Sequence, residues 1–160
     1  MPLAFNTENR IKIAKQLLDE PYGWGGLLNN RDCSSFTQDY FAVFGKYLHR
    51  NSKAQISNGK YLDMSKLSND EKKEFMRENG VPFSTLVYLK GHIMLYIGAK
   101  NNEPLVFHNI WSVRLKDETG RKYRHIIGKA TVTTLEPGVG IKDFDEDTNI
   151  LNRIEGIVIL

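Results

Sequence analysis

The stretch "RDCSSFTQDYF", residues 31–41, contains the only cysteine of the 160-residue chain. Asp32 is a residue type that caps helix N-termini, and Gly45 is of a type that ends helices. Between them, apolar side chains recur at helical spacing: Phe36, Tyr40, Val43 and Phe44. The sequence therefore predicts a helix with Cys33 at its first position.

The predicted position of Cys33 favours a reactive thiol. Unpaired amide donors and a partial positive charge at a helix N-terminus stabilise a thiolate, and they can lower the pKa of a cysteine from roughly 8.5 by one or more units. A cysteine in a folded domain is otherwise a small buried apolar residue. One cysteine cannot form an internal disulfide, so Cys33 is a buried thiol, a metal ligand or a nucleophile.

Helical patterns precede strand patterns along the chain. Helices are predicted at residues 7–19, in a short segment capped by Asn51, and at 68–80, where a Ser-x-x-Glu capping box leads to Gly. Alternating patterns then predict strands at 84–89, 92–98, 104–110, 123–128 and 129–135. This order predicts an α+β domain spanning 1–160, with N-terminal helices packed on an antiparallel meander.

Composition excludes several classes of protein. With 41% hydrophobic and 26% charged residues, the chain has the composition of one globular domain. No apolar run approaches the roughly 18 residues of a membrane span, and the start of the chain lacks the features of a signal peptide. The net charge is +3, but no basic block is interleaved with aromatic residues, so nucleic-acid binding is not expected.

Two of the four histidines are placed to act together. His92 begins one predicted strand, and His108 lies on the next strand of the same hairpin. If His108 pairs opposite Met94, it is a diagonal neighbour of His92 on the same face, at roughly 7 Å between backbones. An imidazole base and an orienting imidazole can then hydrogen-bond. Asn109 would face the other way.

The remaining candidates have simpler interpretations. His49 and His125 are expected to be ordinary half-buried residues. Trp24 and Trp111 either line a peptide groove or are packed beside glycine turns, and the sequence does not distinguish these two.

The chain resembles the NlpC/P60 cysteine peptidases, papain-like enzymes that cut peptidoglycan stem peptides. The resemblance covers residues 8 to about 115 and rests on four segments in this order: "YGWGG", "RDCSSF", "HRNSKAQ" and "GHIMLYIG". It departs from the family pattern where Leu48-His49-Arg50 replaces Leu-Pro-Arg and where Lys90-Gly91 replaces Gly-Asp. Neither departure removes a catalytic group, but both affect the outer shape of the groove.

The resemblance implies a role for each site residue. Cys33 matches the nucleophile, His92 the general base and His108 the group that orients the base. Tyr22 matches a tyrosine that helps to hold the oxyanion. Two further residues match positions that bind the amino terminus of an incoming L-Ala, and these are Asp32 and Ser34.

The expected reaction is hydrolysis of the bond between γ-D-Glu and diaminopimelate, or Lys, in muropeptides or peptidoglycan. The substrate would carry free carboxylates and an amine, for which Arg50 or Arg31 at the rim of the site is a candidate, although solvated surface charges explain both arginines more simply. Trp24 is the candidate for the groove wall, with packing beside the glycine turns as the alternative. The resemblance implies no cofactor, a location in the cell envelope, and accessory domains of the Src-homology-3 type in the full-length protein.

Three alternatives remain from the sequence. The same Cys and His could serve an amidase that cuts between muramic acid and L-Ala, or an acyltransferase. The chain could be a non-catalytic cell-wall binding module. Cys33, His92 and His108 could instead bind zinc, although the tight pair spacing of structural zinc sites is absent.

Overall fold

A computed structural model describes residues 1–160. Its helices are α1 (Thr7–Leu17), α2 (Cys33–Ala42), α3 (Ser52–Gln55), α4 (Asn69–Asn79) and α5 (Ile150–Arg153). Asp32 caps α2, and the Ser68 capping box starts α4 as predicted. The first two helices end earlier than the patterns predict, at Leu17 and Ala42, and the chain turns after α2 at Gly45, whose φ is +73°.

Six antiparallel strands form one sheet in the order β1-β6-β2-β3-β4-β5. They are β1 (Lys60–Asp63), β2 (Thr85–Leu89), β3 (His92–Lys100), β4 (Glu103–Lys116), β5 (Lys122–Thr134) and β6 (Ile154–Ile159). The α+β class and the meander from β2 to β5 confirm the sequence prediction. The two segments predicted at 123–128 and 129–135 are one long strand, β5, and the sequence analysis missed β1 and β6.

The sheet separates two apolar clusters. On one face, α1 and α2 pack on side chains such as Ile93 and Phe107. On the other face, α4 and α5 cover side chains such as Met94, Val106 and Ile157. Strands buried on both faces hold their register firmly, because a one-residue slip would exchange the two sets of side chains. No helix has the length and apolar character needed to cross a membrane.

A β-bulge interrupts the pairing of β3 with β4. Tyr96 pairs with Val106, but the next pair joins Gly98 to Leu105, so Ile97 has no partner opposite it. Gly98 has a φ of +118°, which glycine adopts with little strain. The extra residue on β3 shifts the register by one position.

This shift decides which face His108 occupies. Continued by one pair, the register before the bulge places His108 opposite Met94, as predicted, and on the same face as His92. The register at the hairpin end of the two strands would instead place His108 opposite Leu95. Since alternate residues point to opposite faces, His108 would then lie on the wrong side of the sheet.

Substitution of Gly98 by Ala should destabilise the protein. The added Cβ meets only Pro82, at 3.8 Å, so the cost comes from the positive φ and should be about 1–3 kcal/mol in the free energy of unfolding. Chemical denaturation measures this change. Gly120→Ala is the matched control, because Gly120 also has a positive φ but lies in the distant β4–β5 turn.

If the two histidines are catalytic, as the sequence resemblance implies, only Gly98→Ala of these two variants should reduce activity in the folded protein. Equal activity of the two folded variants would contradict a role for the bulge in placing His108.

Candidate active site

Cys33 is the first residue of α2, and its side chain is buried, with 8% of the residue exposed. Backbone amides near its sulfur, including that of Ile93, the residue after His92, favour the thiolate. Burial, assisted by the charge of Asp32, outweighs these amides and raises the pKa of the thiol to about 11. The lowered pKa expected from the helix start is therefore wrong, and the resting thiol is protonated at neutral pH.

Asp32 and Arg50 form an ion pair at the start of α2. The Arg50 guanidinium donates to both carboxylate oxygens of Asp32, at 3.0 and 2.6 Å, and to Oγ of Ser34 at 2.8 Å. Asp32 also accepts from the amides of Ser34 and Ser35. Burial opposes ionisation, but the hydrogen bonds from Arg50 and Ser35 hold the pKa of Asp32 below its usual value. Asp32 and Ser34, which were expected to bind a substrate amine, are thus already in contact with the Arg50 guanidinium.

Tyr22 is half-buried and lies beside Cys33. The chain before α2 runs along the edge of β5, where the amide of Tyr22 donates to the carbonyl of Gly128 at 2.8 Å. This edge pairing directs the phenol toward α2, and the Cys33 amide faces the phenolic oxygen. Burial, with the nearby Cys33 and Asp32, raises the pKa of Tyr22, so the hydroxyl keeps its proton.

His92 and His108 hydrogen-bond directly. His92 Nε2 lies 2.8 Å from His108 Nδ1, and His108 Nε2 lies 3.0 Å from Oγ1 of Thr133. The Thr133 hydroxyl donates its one proton to the carbonyl of Thr134, at 2.6 Å. It can therefore only accept from His108.

This chain of hydrogen bonds fixes both tautomers. Because Thr133 accepts, His108 carries its proton on Nε2, and its Nδ1 is left as an acceptor. His92 must then donate from Nε2, which leaves Nδ1 with a free lone pair. His92 is thus presented as a base with one defined nitrogen available.

Both imidazoles are neutral at pH 7. Burial, reinforced by the positive charge of Arg153, lowers the pKa of His92 to about 4. Burial and the neighbouring His92 lower the pKa of His108 well below its usual value. Cys33 and His92 share no hydrogen bond in this structure, although the amide of Ile93, the residue after His92, is close enough to favour the thiolate. The resting pair is a neutral thiol beside a neutral imidazole.

Aromatic side chains line a groove next to His92. Tyr22, Trp24 and Trp111 contact one another with ring centroids 5.2–6.2 Å apart, and all three line the groove. A second bulge, between Ile110 and Ser112, leaves Trp111 without a strand partner. Trp24 is 59% exposed, so these rings form an open wall. Of the two interpretations left open by the sequence, the structure favours the groove for both tryptophans.

Other polar residues lie away from this groove. Arg31 pairs with Glu20 and Asp39, and its carbonyl accepts from Asn109 Nδ2 at 2.6 Å. The ring of His49 is half-buried, as expected, and packs against Tyr47. His125 is exposed on the hairpin, so the expectation that it is half-buried was wrong.

The metal interpretation lacks a suitable set of ligands. No three His, Cys, Asp or Glu side chains are grouped in a way that could hold a metal ion. Both ring nitrogens of His108 are engaged in hydrogen bonds.

Thr133 is the residue at this site that sequence reasoning missed. It pairs opposite Val106 on β5, diagonal to His108. The alternation in "KATVTTL" places Thr131 and Thr133 on one face, but the length of β5 and its bulge were needed to know which threonine reaches His108.

A cysteine at a helix start, packed against an antiparallel sheet that carries the histidines, is the arrangement of a papain-like fold. The family model described as NlpC/P60 family matches residues 19–129, which is more than half of the chain. The chain belongs to the NlpC/P60 family, as the sequence resemblance predicted. A search of curated proteins finds no match.

Solved structures give the same fold. An NlpC/P60 endopeptidase from Photobacterium damselae subsp. piscicida is 25% identical with a TM-score of 0.83, and the match covers 95% of this chain and 38% of that one. A family protein from Bacillus cereus is 18% identical with a TM-score of 0.58, covering 98% and 40%. The peptidoglycan hydrolase RipB from Mycobacterium tuberculosis is 16% identical with a TM-score of 0.53, covering 96% and 64%.

The rate of Cys33 alkylation should depend on pH as it does for an isolated, buried thiol. Because the pKa of the thiol is raised to about 11, the rate with iodoacetamide should keep rising as pH increases from neutral to about 10. A rate plateau between about pH 5 and about pH 8 would reveal a resting thiolate–imidazolium pair and contradict this account.

If His92 is the base, as the resemblance implies, Thr133→Val should impair it while leaving the fold intact, because valine keeps the shape of threonine but cannot accept from His108. We expect kcat to fall about tenfold or more with KM nearly unchanged. Thr133→Ser keeps the hydroxyl and should retain activity. Thr131→Val is the control, because Thr131 is the residue opposite His108. Equal losses for Thr133→Val and Thr133→Ser would indicate a packing role only.

Proposed function

We propose that this chain is a cysteine endopeptidase that hydrolyses peptidoglycan stem peptides, with Cys33 as nucleophile, His92 as general base and His108 as its orienting group. The observation that carries the proposal is the chain from Thr133 through His108 to His92, which leaves one basic nitrogen free near a thiol at a helix start. Family membership and the likeness to the Photobacterium endopeptidase support it.

The neutral resting state determines how the first step occurs. With the thiol pKa near 11 and the His92 pKa near 4, a stable ion pair before substrate binds is unfavourable. The thiol proton therefore passes to Nδ1 of His92 as the sulfur attacks the carbonyl carbon. Because Cys33 and His92 share no hydrogen bond in the resting structure, the two groups must move together when substrate binds.

The remaining steps return the site to its starting state. The carbonyl oxygen takes up the negative charge and is held by the Cys33 amide, with the Tyr22 hydroxyl as a second donor. The C–N bond breaks as His92 gives its proton to the departing amine. Water, activated by His92, then hydrolyses the thioester and releases the acid and the free thiol.

We place the acyl half of the substrate beside the start of α2. Oδ2 of Asp32 accepts from Arg50 alone, so it can accept a second donor from a substrate amine. Ser34, held by the same guanidinium, lies next to it. The proposed scissile bond joins γ-D-Glu to a diamino acid, as the family resemblance implies. Arg50 would then hold the amine-binding carboxylate in place.

The proposed setting is the cell envelope, where peptidoglycan lies. The chain spans 38% of the Photobacterium structure and 40% of the Bacillus cereus structure. We propose that residues 1–160 act as a catalytic domain and that domains of the Src-homology-3 type assist it in the full-length protein. An amidase or acyltransferase with the same residues is the second candidate, and it would differ in the product.

Incubation of L-Ala-γ-D-Glu-diaminopimelate with the purified chain should release free diaminopimelate, detected by mass spectrometry. Cys33→Ala and His92→Ala should each abolish release, because each removes a group that no neighbour replaces. His125→Ala is the matched control, since His125 is exposed on the hairpin and should be dispensable.

Product mass separates the candidates. Cleavage of intact muropeptide between muramic acid and L-Ala would indicate the amidase instead. Unchanged turnover by the Cys33→Ala variant would show that Cys33 is not the nucleophile.

A further inference from the structure

The groove beside His92 continues into a strongly positive region. Besides the aromatic wall, it is lined by Arg114 on β4, Arg124 on β5 and Arg153 at the end of α5. No Asp or Glu is among the residues that line it. The whole chain has 22 basic and 19 acidic residues, so the two signs of charge are nearly balanced. A groove lined by three arginines and no acidic residue departs clearly from that balance.

These three arginines lack anionic partners within the protein. Arg31 and Arg50 both form ion pairs with carboxylates, but none of the three groove arginines does. Neutral acceptors instead hold two of them: Arg124 donates to Ser112 Oγ at 2.9 Å, and Arg153 donates to the carbonyl of Lys90 at 3.2 Å. A guanidinium has five N–H donors, so most of theirs stay free for a ligand.

The pairing of the strands adds an unfavourable contact. Arg114 and Arg124 are directly opposite each other in the β4–β5 ladder. Like charges at such positions destabilise a sheet. A bound anion between the two side chains would remove that repulsion, which is the arrangement expected of a binding site.

The groove lies on the leaving-group side of the proposed reaction. His92 lines the groove. In the proposed reaction it gives its proton to the departing amine, which places the residue that carries that amine in the groove. The acyl half is placed by the proposed reaction beside Cys33 and Asp32, neither of which lines the groove.

We propose that Arg114, Arg124 and Arg153 form a specificity site for the side-chain carboxylate of the residue on the amine side of the cleaved bond. This inference rests on the proposed function and deepens it. Diaminopimelate carries such a carboxylate and lysine does not, so the site selects the former. Paired N–H donors of guanidinium groups match the two oxygens of a carboxylate.

Carboxylate binding here also affects the base. The charge of Arg153 contributes to the lowered pKa of His92. A carboxylate bound to Arg153 neutralises part of that charge, so substrate binding should raise the basicity of His92. The site thus couples recognition to proton transfer.

The test measures binding and turnover separately. Three peptides are compared: L-Ala-γ-D-Glu followed by diaminopimelate, by diaminopimelate amidated at its side-chain carboxyl, or by lysine. Their Kd values for the Cys33→Ala protein are measured by calorimetry, and kcat/KM is measured with active Cys33. We expect the free-acid peptide to be preferred about tenfold or more over the other two in both measurements.

Single variants identify the groups responsible. Arg153→Gln and Arg124→Gln should each reduce the preference severalfold, and Arg153→Lys should keep part of it. Arg121→Gln is the matched control, because Arg121 is exposed on the same hairpin but does not line the groove. Thermal melting checks that each variant is folded.

Each outcome decides between the two proposals. Turnover of all three peptides at similar rates, or a preference that survives in the arginine variants, overturns the carboxylate site and leaves the proposed function standing. Arginine-dependent binding of the free acid without turnover supports the site and refutes the peptidase. If all three peptides bind equally well, or if none of them binds, the carboxylate site is refuted, whatever the rates of turnover.

Discussion

The one-residue bulge at Ile97 in β3 is the constraint on which the rest of the site depends. The hairpin turn and the start of β3 require different registers, and the bulge reconciles them. Without it, the apolar residues of β3 could still be buried, but His108 would face the other cluster. The distance between two imidazoles is thus set by an unpaired residue five positions away from His92. Local backbone geometry, here at Gly98, determines the chemistry.

Burial governs the chemistry that this arrangement permits. The N-terminus of α2 supplies amide donors to Cys33, yet the thiol is so enclosed that its charged form is disfavoured. The same effect keeps His92 neutral. In the proposed reaction, proton transfer from Cys33 to His92 would therefore accompany the attack on substrate. Under that proposal, the amides at the helix start would stabilise the oxyanion, whose charge appears only during the reaction.

The sequence predicts the helix starts, the meander and the diagonal histidine pair, since these follow from capping residues and alternation. It could not predict β1 and β6, because their pairing joins segments that are far apart in the chain. The protonation state of Cys33 was predicted wrongly for the same reason: helix position is local information, whereas burial depends on the whole fold. Thr133 was missed because a bulge of β5 lies between it and the hairpin turn.

The most direct test of the hydrogen-bond chain is nitrogen-15 NMR of the imidazoles in the folded protein at pH 7. Ring nitrogens that carry a proton and those that do not have well-separated chemical shifts. The account predicts that His92 and His108 are both neutral and both protonated on Nε2, with His92 Nδ1 free. A proton on His92 Nδ1, or a resting imidazolium, would contradict it, since Thr133 would then no longer determine which nitrogen acts as the base.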